Sequence, residues 1–317
     1  MNQINDQDAL SAKRVVVVGG NGFIGRHIVK ALQKEDAQVS VIDVCPISDD
    51  SSFKVETIIG SINDSTLFSS AIAGSQIVIF LANNSLPGSA NFDLASEVRL
   101  HVEHSIKAAD LCRTQGVEKF IFSSSGGTVY GYSSDVPLSE NMLTRPINAY
   151  GVSKLSIENY LRIISMQSSM RTISIRISNP YGEGQRAIRN QGFIAAAMEH
   201  GINDRVLPIW GDGTVERDFI YIDDVARAFI LACKSANPPD VVNIGSGQPY
   251  SLLEIIKLSE NALEREIKIE FHSSRTVDVQ RNYLDITRAE EKLGWHPNIS
   301  IEEGLRRTAK WWKNISI

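Results

Sequence analysis

"RVVVVGGNGFIGRHIVKALQKE", residues 14–35, decides how the rest of the chain is read. Four valines in a row form an unbroken apolar run, which suits a strand covered on both faces rather than one with a wet side. Glycines 19, 22 and 25 follow, and Ile24, Ile28 and Leu32 then recur at helical spacing on one face. A strand, a glycine turn and a helix in this order make a dinucleotide-binding unit. Gly19, Gly22 and Gly25 serve a tight turn, a close approach of backbone N–H groups to a pyrophosphate, and close packing of helix on sheet.

The rhythm repeats downstream in "QVSVIDV" (38–44), "SQIVIFLA" (75–82), "KFIFSSS" (119–125) and "TISIRISN" (172–179). Continuous Val/Ile/Phe runs separated by helix-period segments predict an α/β fold, a doubly wound parallel (Rossmann) sheet with helices on each face. After Asn179 the rhythm breaks. "NPYGEGQRAIRNQG" (179–192) is rich in Gly, Arg and Asn, and later pieces are short and polar, as in a second, smaller substrate-binding lobe. The expected organisation is a flexible tail over 1–13, an NAD-binding Rossmann domain over 14–178 to which 219–246 returns, and a lobe built from 179–218 and 247–317.

The second strand ends at Asp43, 18 residues beyond Gly25, where a carboxylate can accept both hydroxyls of a ribose. Asp43 would repel a 2′-phosphate, and Val44, Cys45 and Pro46 provide no arginine to receive one. NAD is therefore favoured over NADP as the cofactor.

Composition narrows the partners. Among 317 residues, 43% are hydrophobic and 22% charged, an ordinary folded composition, and a net charge of −5 without a basic cluster offers no field for nucleic acid. Cys45, Cys112 and Cys233 lack metal-ligand spacing and read as reduced core thiols, so no metal site is expected. The start, "MNQINDQDALSAK", is polar and acidic where a signal peptide is basic and then apolar. No apolar run approaches the roughly 18 residues of a membrane span, so a cytoplasmic protein without a membrane partner is expected.

"NAYGVSKLSIENYL" (148–161) places Tyr150 and Lys154 four residues apart on a helix whose Leu155, Ile157, Leu161 and Ile164 mark a packed face. At that spacing the two side chains lie one turn apart on the same side. A phenol is a poor base at neutral pH, and bringing it from about 10 to about 7 takes roughly 4 kcal/mol of preferential stabilisation of the phenolate. The Lys154 ammonium and a positive nicotinamide ring together could supply it, with the lysine also bonding the nicotinamide ribose.

With these motifs in order, and with "FSSSGGTVYG", "RISNPYG", "GDGTVERDFIYIDDV", "NIGSG" and "RTVDVQRNYLDITRAEEKLGW" after them, nearly the whole chain resembles the extended short-chain dehydrogenase/reductase family. Within it, the chain is most similar to the nucleotide-sugar 4-epimerases typified by UDP-galactose (UDP-glucose) 4-epimerase. The resemblance implies a nucleotide-diphospho sugar, UDP-linked, bound in the second lobe with its sugar over the nicotinamide. Tyr150 would take the 4-hydroxyl proton as C4 gives up hydride, and the 4-keto sugar would turn and take hydride back on its other face. It further implies cofactor contacts from Phe23 and Ile24, from Ser61 and Ile62, and from Leu81, Ala82 and Asn83. Asn179 would hold the diphosphate-sugar, Leu207 and Ile209 would line the base pocket, and Arg217 and Arg275 would clamp phosphate oxygens. Asp278 would touch the nucleotide ribose. A homodimer built on the helices around 98–113 and 150–166 is the family's common pairing.

The chain departs from that pattern in places. Ser61 stands where the family usually has an acidic residue against adenine, and "FLAN" replaces the frequent "HLAA". His101 stands where an asparagine usually opens the helix behind the nicotinamide, and a hydrogen-bonding substitute near the cofactor is expected there rather than a catalytic histidine. The strand tip Ser125-Gly126-Gly127 replaces the Thr-Asp-Glu set of the sugar-nucleotide 4,6-dehydratases, which disfavours dehydration. Ser125 or Thr128 is the hydroxyl expected to share the proton with Tyr150. By the family's count Asn282 faces the sugar's 2-substituent, where its small size would admit an N-acetyl group. The alternatives are a related NAD-dependent sugar-nucleotide decarboxylase, reductase or dehydratase, and a redox-sensing NAD-binding regulator, which would need no base.

Overall fold

The structure, a computed structural model, describes residues 10–46, 55–83, 93–186, 192–274 and 279–315. The first half alternates β1 (Arg14–Val18), α1 (Phe23–Lys34), β2 (Gln38–Asp43), β3 (Glu56–Ile59), α2 (Ser65–Ile72), β4 (Ile77–Phe80), α3 (Leu94–Glu97), α4 (His104–Thr114), β5 (Lys119–Ser125), α5 (Ala149–Met166) and β6 (Arg171–Ile177). A π-helical turn, Val98–Glu103, joins α3 to α4 without leaving helical backbone. Beyond lie β7 (Asn179–Tyr181), α6 (Phe193–Ile202), β8 (Leu207–Trp210), β9 (Glu216–Tyr221), α7 (Ile222–Lys234), β10 (Val241–Ile244) and β11 (Pro249–Ser251). The chain continues through α8 (Leu252–Leu263), β12 (Ile269–His272), β13 (Arg281–Asn282), α9 (Thr287–Leu293) and α10 (Ile301–Ile315).

Seven strands form one parallel sheet in the order β10-β6-β5-β4-β1-β2-β3. The valine run explains why it is covered on both sides. Val15 and Val17 pack with Ile28 of α1 and with Val225 and Phe229 of α7. Val16 and Val18, pointing the other way, pack with Ala108 of α4 and with Ile157 and Leu161 of α5. The strand order reverses at β1, whose neighbours are β2 and β4, and ligands of such sheets bind beyond the strand ends at that point. The carboxyl ends of β1, β4 and β5 therefore mark the site.

A second sheet has β9 at its centre, flanked by β11, β13 and β7, and β8 pairs with β12 alongside. The return to the large sheet begins at α7 rather than at residue 219, because Phe219–Tyr221 pair with β7. Leu10, expected in a loose tail, is buried in the main core. Cys112 and Cys233 are buried as expected. Cys45 is exposed, because β2 ends at Asp43 and the chain turns outward there. Among the described residues, no helix is long and apolar enough to cross a membrane.

Candidate active site

The glycine turn leaves α1 with an open N-terminus. Its N-cap, Gly22, supplies no side-chain hydrogen bond, and its first turn carries no acidic residue, so the leading N–H groups are free to meet an anion. Gly19 has a left-handed φ of 82°, and a Cβ there would lie 3.0 Å from the Ala82 nitrogen. A Cβ on Gly25 would lie 2.4 Å from the Gly19 carbonyl oxygen, so only glycine lets the helix approach the turn this closely. Phe23 and Ile24 open the helix, and Leu81, Ala82 and Asn83 follow β4 beside Gly19.

Asp43 sits where the spacing placed it. Its carboxylate accepts from the Asn21 N–H at 2.9 Å and the Cys45 N–H at 3.1 Å, while the Asn21 side chain donates to the Cys45 carbonyl at 2.6 Å. Each carboxylate oxygen keeps a second lone pair for a ribose hydroxyl. Ser61 and Ile62 lie half-buried after β3, with the Ser61 hydroxyl accepting from the Asn63 N–H at 3.2 Å. A cradle that a Cβ would fill, an uncapped helix N-terminus and an acidic strand end fit a dinucleotide with a free 2′-hydroxyl.

The placement of Tyr150 and Lys154 follows from a cap. Asn148 accepts from the Gly151 N–H at 2.8 Å and starts α5 at Ala149, which puts Tyr150 in the first turn and Lys154 one turn later. A Cβ on Gly151 would lie 2.6 Å from the Thr128 carbonyl oxygen, so the helix end rests directly on the turn after β5. Lys154 is buried and donates to the Ser123 carbonyl at 2.8 Å, with its nitrogen 5.4 Å from the centroid of the Tyr150 ring. Burial lowers the Lys154 ammonium to about 8, against the pull of Glu158 and Glu97.

Tyr150 moves the other way. Burial, and then the Glu97 carboxylate, push its phenol well above the ordinary value. The chain's own groups thus shift Tyr150 opposite to the expected direction, because burial and the Glu97 carboxylate both act against the phenolate.

The three serines at the end of β5 have three different fates. The Ser123 carbonyl anchors Lys154, and the Ser124 hydroxyl donates to the buried Glu158. Glu158 is gripped by the Arg176 fork at 2.7–3.2 Å, and Arg176 also donates to the Tyr130 hydroxyl at 3.0 Å. Ser125 is half-buried at the strand's open end. The Thr128 hydroxyl is buried with no partner among the described residues.

In the second lobe, Asn179 donates to the Asp218 carbonyl at 2.8 Å, and Arg217 donates to the carbonyls of Glu216 and Val279 at 2.8 and 2.6 Å. Asn282 pairs with Arg217 in the sheet and is buried against the strand tip, its amide nitrogen 3.5 Å from the Gly126 carbonyl. Its side-chain oxygen has no partner among the described residues. Leu207 and Ile209 do not line a base pocket with their side chains. Alternation along β8 turns both into the core and leaves Pro208 and Trp210 on the other face, with Trp210 stacked on His272. Arg275 and Asp278 lie outside the described residues. None of the described residues form a group of three or more His, Cys, Asp or Glu able to hold a metal.

Sequence reasoning missed Glu97. It is buried at the end of α3 and lines a small cavity with His101, Tyr150 and Lys154. The one signal for it was the i, i+4 pair in "EVRLH" (97–101), which also fits an exposed helical ion pair.

A dinucleotide cradle beside a half-buried tyrosine and a buried lysine at the switch point of a parallel sheet defines a nicotinamide-dependent enzyme of the Rossmann class. The chain belongs to the NAD dependent epimerase/dehydratase family, whose model matches residues 15–245, and its cofactor is NAD. It is 32% identical to a dTDP-4-dehydro-6-deoxyglucose reductase of Escherichia coli over 93% of this chain and 96% of that one. The UDP-glucose 4-epimerase of Thermotoga maritima, solved with UDP-glucose, superposes with a TM-score of 0.91 at 30% identity, covering 96% of this chain and 100% of that one. A UDP-N-acetylglucosamine 4-epimerase of Methanobrevibacter ruminantium, in complex with UDP-N-acetylmuramic acid, superposes with a TM-score of 0.90 at 27% identity, covering 96% and 99%. The protein is an enzyme of the NAD-dependent nucleotide-sugar epimerase/dehydratase group.

Proposed function

We propose that the protein is a 4-epimerase of a UDP-linked hexose or N-acetylhexosamine, with Tyr150 as the base. The observation that carries this reading is the tip of β5, where Ser125, Gly126 and Gly127 offer one hydroxyl and no carboxylate. Elimination of water needs an acid and a base beside the sugar, whereas epimerisation needs one base and room for the sugar to turn. Glu158, the buried carboxylate behind the tip, is committed to Arg176 and Ser124.

Bound NAD supplies the hydride acceptor and donor. The uncapped start of α1 would take its pyrophosphate and Asp43 its adenosine ribose. Lys154 would hold the nicotinamide ribose and keep positive charge beside Tyr150. Tyr150 would take the 4-hydroxyl proton, with Ser125 sharing it, and return it to the inverted alcohol. Asn179, Arg217, Arg275 and Asp278 would position the nucleotide-diphosphate, and Asn282 would face the sugar's 2-substituent. The exposed apolar residues Val98, Leu100, Val152, Tyr160, Ile163 and Met166 on two neighbouring helices support a homodimer through that face. A monomer at micromolar concentration would remove that part of the reading.

The deciding experiment incubates purified protein with UDP-glucose, UDP-galactose and their N-acetyl counterparts under catalytic NAD, following products by NMR. Formation of 4-epimers without net cofactor consumption supports the proposal. A stoichiometric requirement for NAD(P)H overturns it in favour of a reductase, the reaction of the Escherichia coli relative.

A further inference from the structure

The motif "NIGSG" (243–247) closes β10, and its end is shaped around one side chain, Asp218 of β9. Asp218 is fully buried, and its carboxyl accepts five hydrogen bonds from three other segments. Oδ1 accepts from the Ser178 hydroxyl at 3.1 Å and from the N–H and hydroxyl of Ser246 at 2.7 and 2.8 Å. Oδ2 accepts from the N–H groups of Gly247 and Leu284 at 3.3 and 3.2 Å. A Cβ on Gly245 would collide with Oδ2, so only glycine lets the chain pass this close. Both oxygens face a backbone N–H, a donor that cannot reverse, so an acceptor is demanded on each side. An amide of the same shape would set its NH2 against Ser246 on one side, or against Gly247 and Leu284 on the other.

The segments joined here come from both sheets. Ser178 follows β6 and residues 245–247 follow β10, two strands of the large sheet, whereas Asp218 lies in β9 and Leu284 follows β13, strands of the small one. Each of Ser178, Asp218 and Leu284 adjoins a residue that the proposed function gives to substrate. Asn179 comes next after Ser178, and its side chain donates to the Asp218 carbonyl at 2.8 Å. Arg217 comes directly before Asp218 and pairs in the sheet with Asn282, two residues ahead of Leu284. Leu284 is itself fully buried under the tip of β5, where a Cβ on Gly126 would lie 2.6 Å from its Cδ1.

We propose that Asp218 is a positioning residue of the nucleotide-diphosphate cleft: its carboxyl pins the small sheet to the ends of β6 and β10, and so holds Asn179, Arg217 and Asn282 in place before substrate arrives. Being fully buried, it acts on substrate only through those three. Groups already ordered need not be ordered by the ligand, so the effect falls on substrate binding. None of the five bonds involves β1, β2 or the glycine turn, which leaves the binding of NAD independent of them. The proposal rests on Asn179, Arg217 and Asn282 being substrate contacts, and hence on this cleft being the sugar-nucleotide site.

The test measures equilibrium binding of UDP and of NAD by calorimetry, with kcat and KM on whichever UDP-sugar the enzyme turns over. The proteins compared are wild type, Asp218→Asn, the double variant Ser178→Ala/Ser246→Ala, and Arg217→Ala. Asp218→Asn is expected to bind UDP about tenfold more weakly, the equivalent of one lost hydrogen bond. KM should rise in step, with kcat changing less and NAD affinity unchanged. The double serine variant keeps the backbone N–H donors of Ser246, Gly247 and Leu284, so it should lose a smaller share of UDP affinity and no NAD affinity. It decides the matter if Asp218→Asn does not fold. UDP affinity equal to wild type in the variants that fold overturns the proposal. So does NAD affinity falling as far as UDP affinity, which marks a general loss of structure. Arg217→Ala separates the two readings. Unchanged UDP binding there removes this cleft as the nucleotide site and the proposal with it, whereas a large loss there beside wild-type affinity in the Asp218 and serine variants leaves the site standing and removes only the anchor.

Discussion

The Lys154 ammonium donates to the carbonyl of Ser123 at 2.8 Å, tying the helix of the tyrosine to the strand whose next outward residue is Ser125. That bond fixes the lysine one turn from Tyr150 and sets its charge beside the ring at 5.4 Å. Tyr150→Phe is expected to cost about 10²–10⁴-fold in kcat, the range of a general base, with NAD binding and thermal melting unchanged. Lys154 titrates near 8, and it loses its charge as pH rises through that value. Wild-type kcat should therefore fall above about pH 8, and Lys154→Met should lack this limb; an alkaline limb retained in that variant assigns it elsewhere.

Ser125 and Thr128 are separated by their surroundings. The first ends the strand half-buried, and the second holds a buried hydroxyl, without a partner among the described residues, under the start of α5. Ser125→Ala is expected to lose more in kcat than Thr128→Val, whose removal of an orphan hydroxyl should leave stability unchanged or slightly raised. A larger kinetic loss from the threonine change reverses the assignment.

Asp43→Ala removes an acceptor held by the Asn21 and Cys45 N–H groups. NAD affinity should fall and its advantage over NADP should narrow, since the repulsion of a 2′-phosphate goes with the carboxylate. Equilibrium binding of both cofactors measures this, and a wild-type preference for NADP contradicts it.

Asn282 packs against Gly126 with a side-chain oxygen that has no partner among the described residues, a group able to accept from an amide N–H. Wild-type enzyme is expected to take UDP-N-acetylglucosamine alongside or ahead of UDP-glucose, and Asn282→Tyr to reverse that order by filling the space. The ratio of kcat/KM for the two sugars is the readout. An unchanged ratio in the variant counts against the pocket.

Glu158 and Arg176 form a buried pair, 3% and 5% exposed, joined by the Arg176 fork. Glu158→Gln leaves a buried guanidinium without a counter-charge and should cost about 3–5 kcal/mol in denaturant unfolding. The exposed Glu103–Lys107 pair is the control, and Glu103→Gln should barely move the midpoint. Equal effects from the two substitutions would contradict the assignment.

Local spacing alone determined the parallel sheet, the dinucleotide turn, the acidic end of β2 and the Tyr150–Lys154 pair. Each is a short-range pattern: an apolar run, glycines between strand and helix, or two residues four apart behind an asparagine cap. What sequence reading placed less well depends on contacts between distant segments. Leu207 and Ile209 proved to be core because β8 turns them inward, and the direction of the Tyr150 shift depends on burial, which no spacing records. Glu97 reads in the sequence as one half of an ordinary helical ion pair. Only the packing of its helix against α5 takes it out of water and places it in one cavity with Tyr150, Lys154 and His101, where a charge counts for far more than it does at the surface.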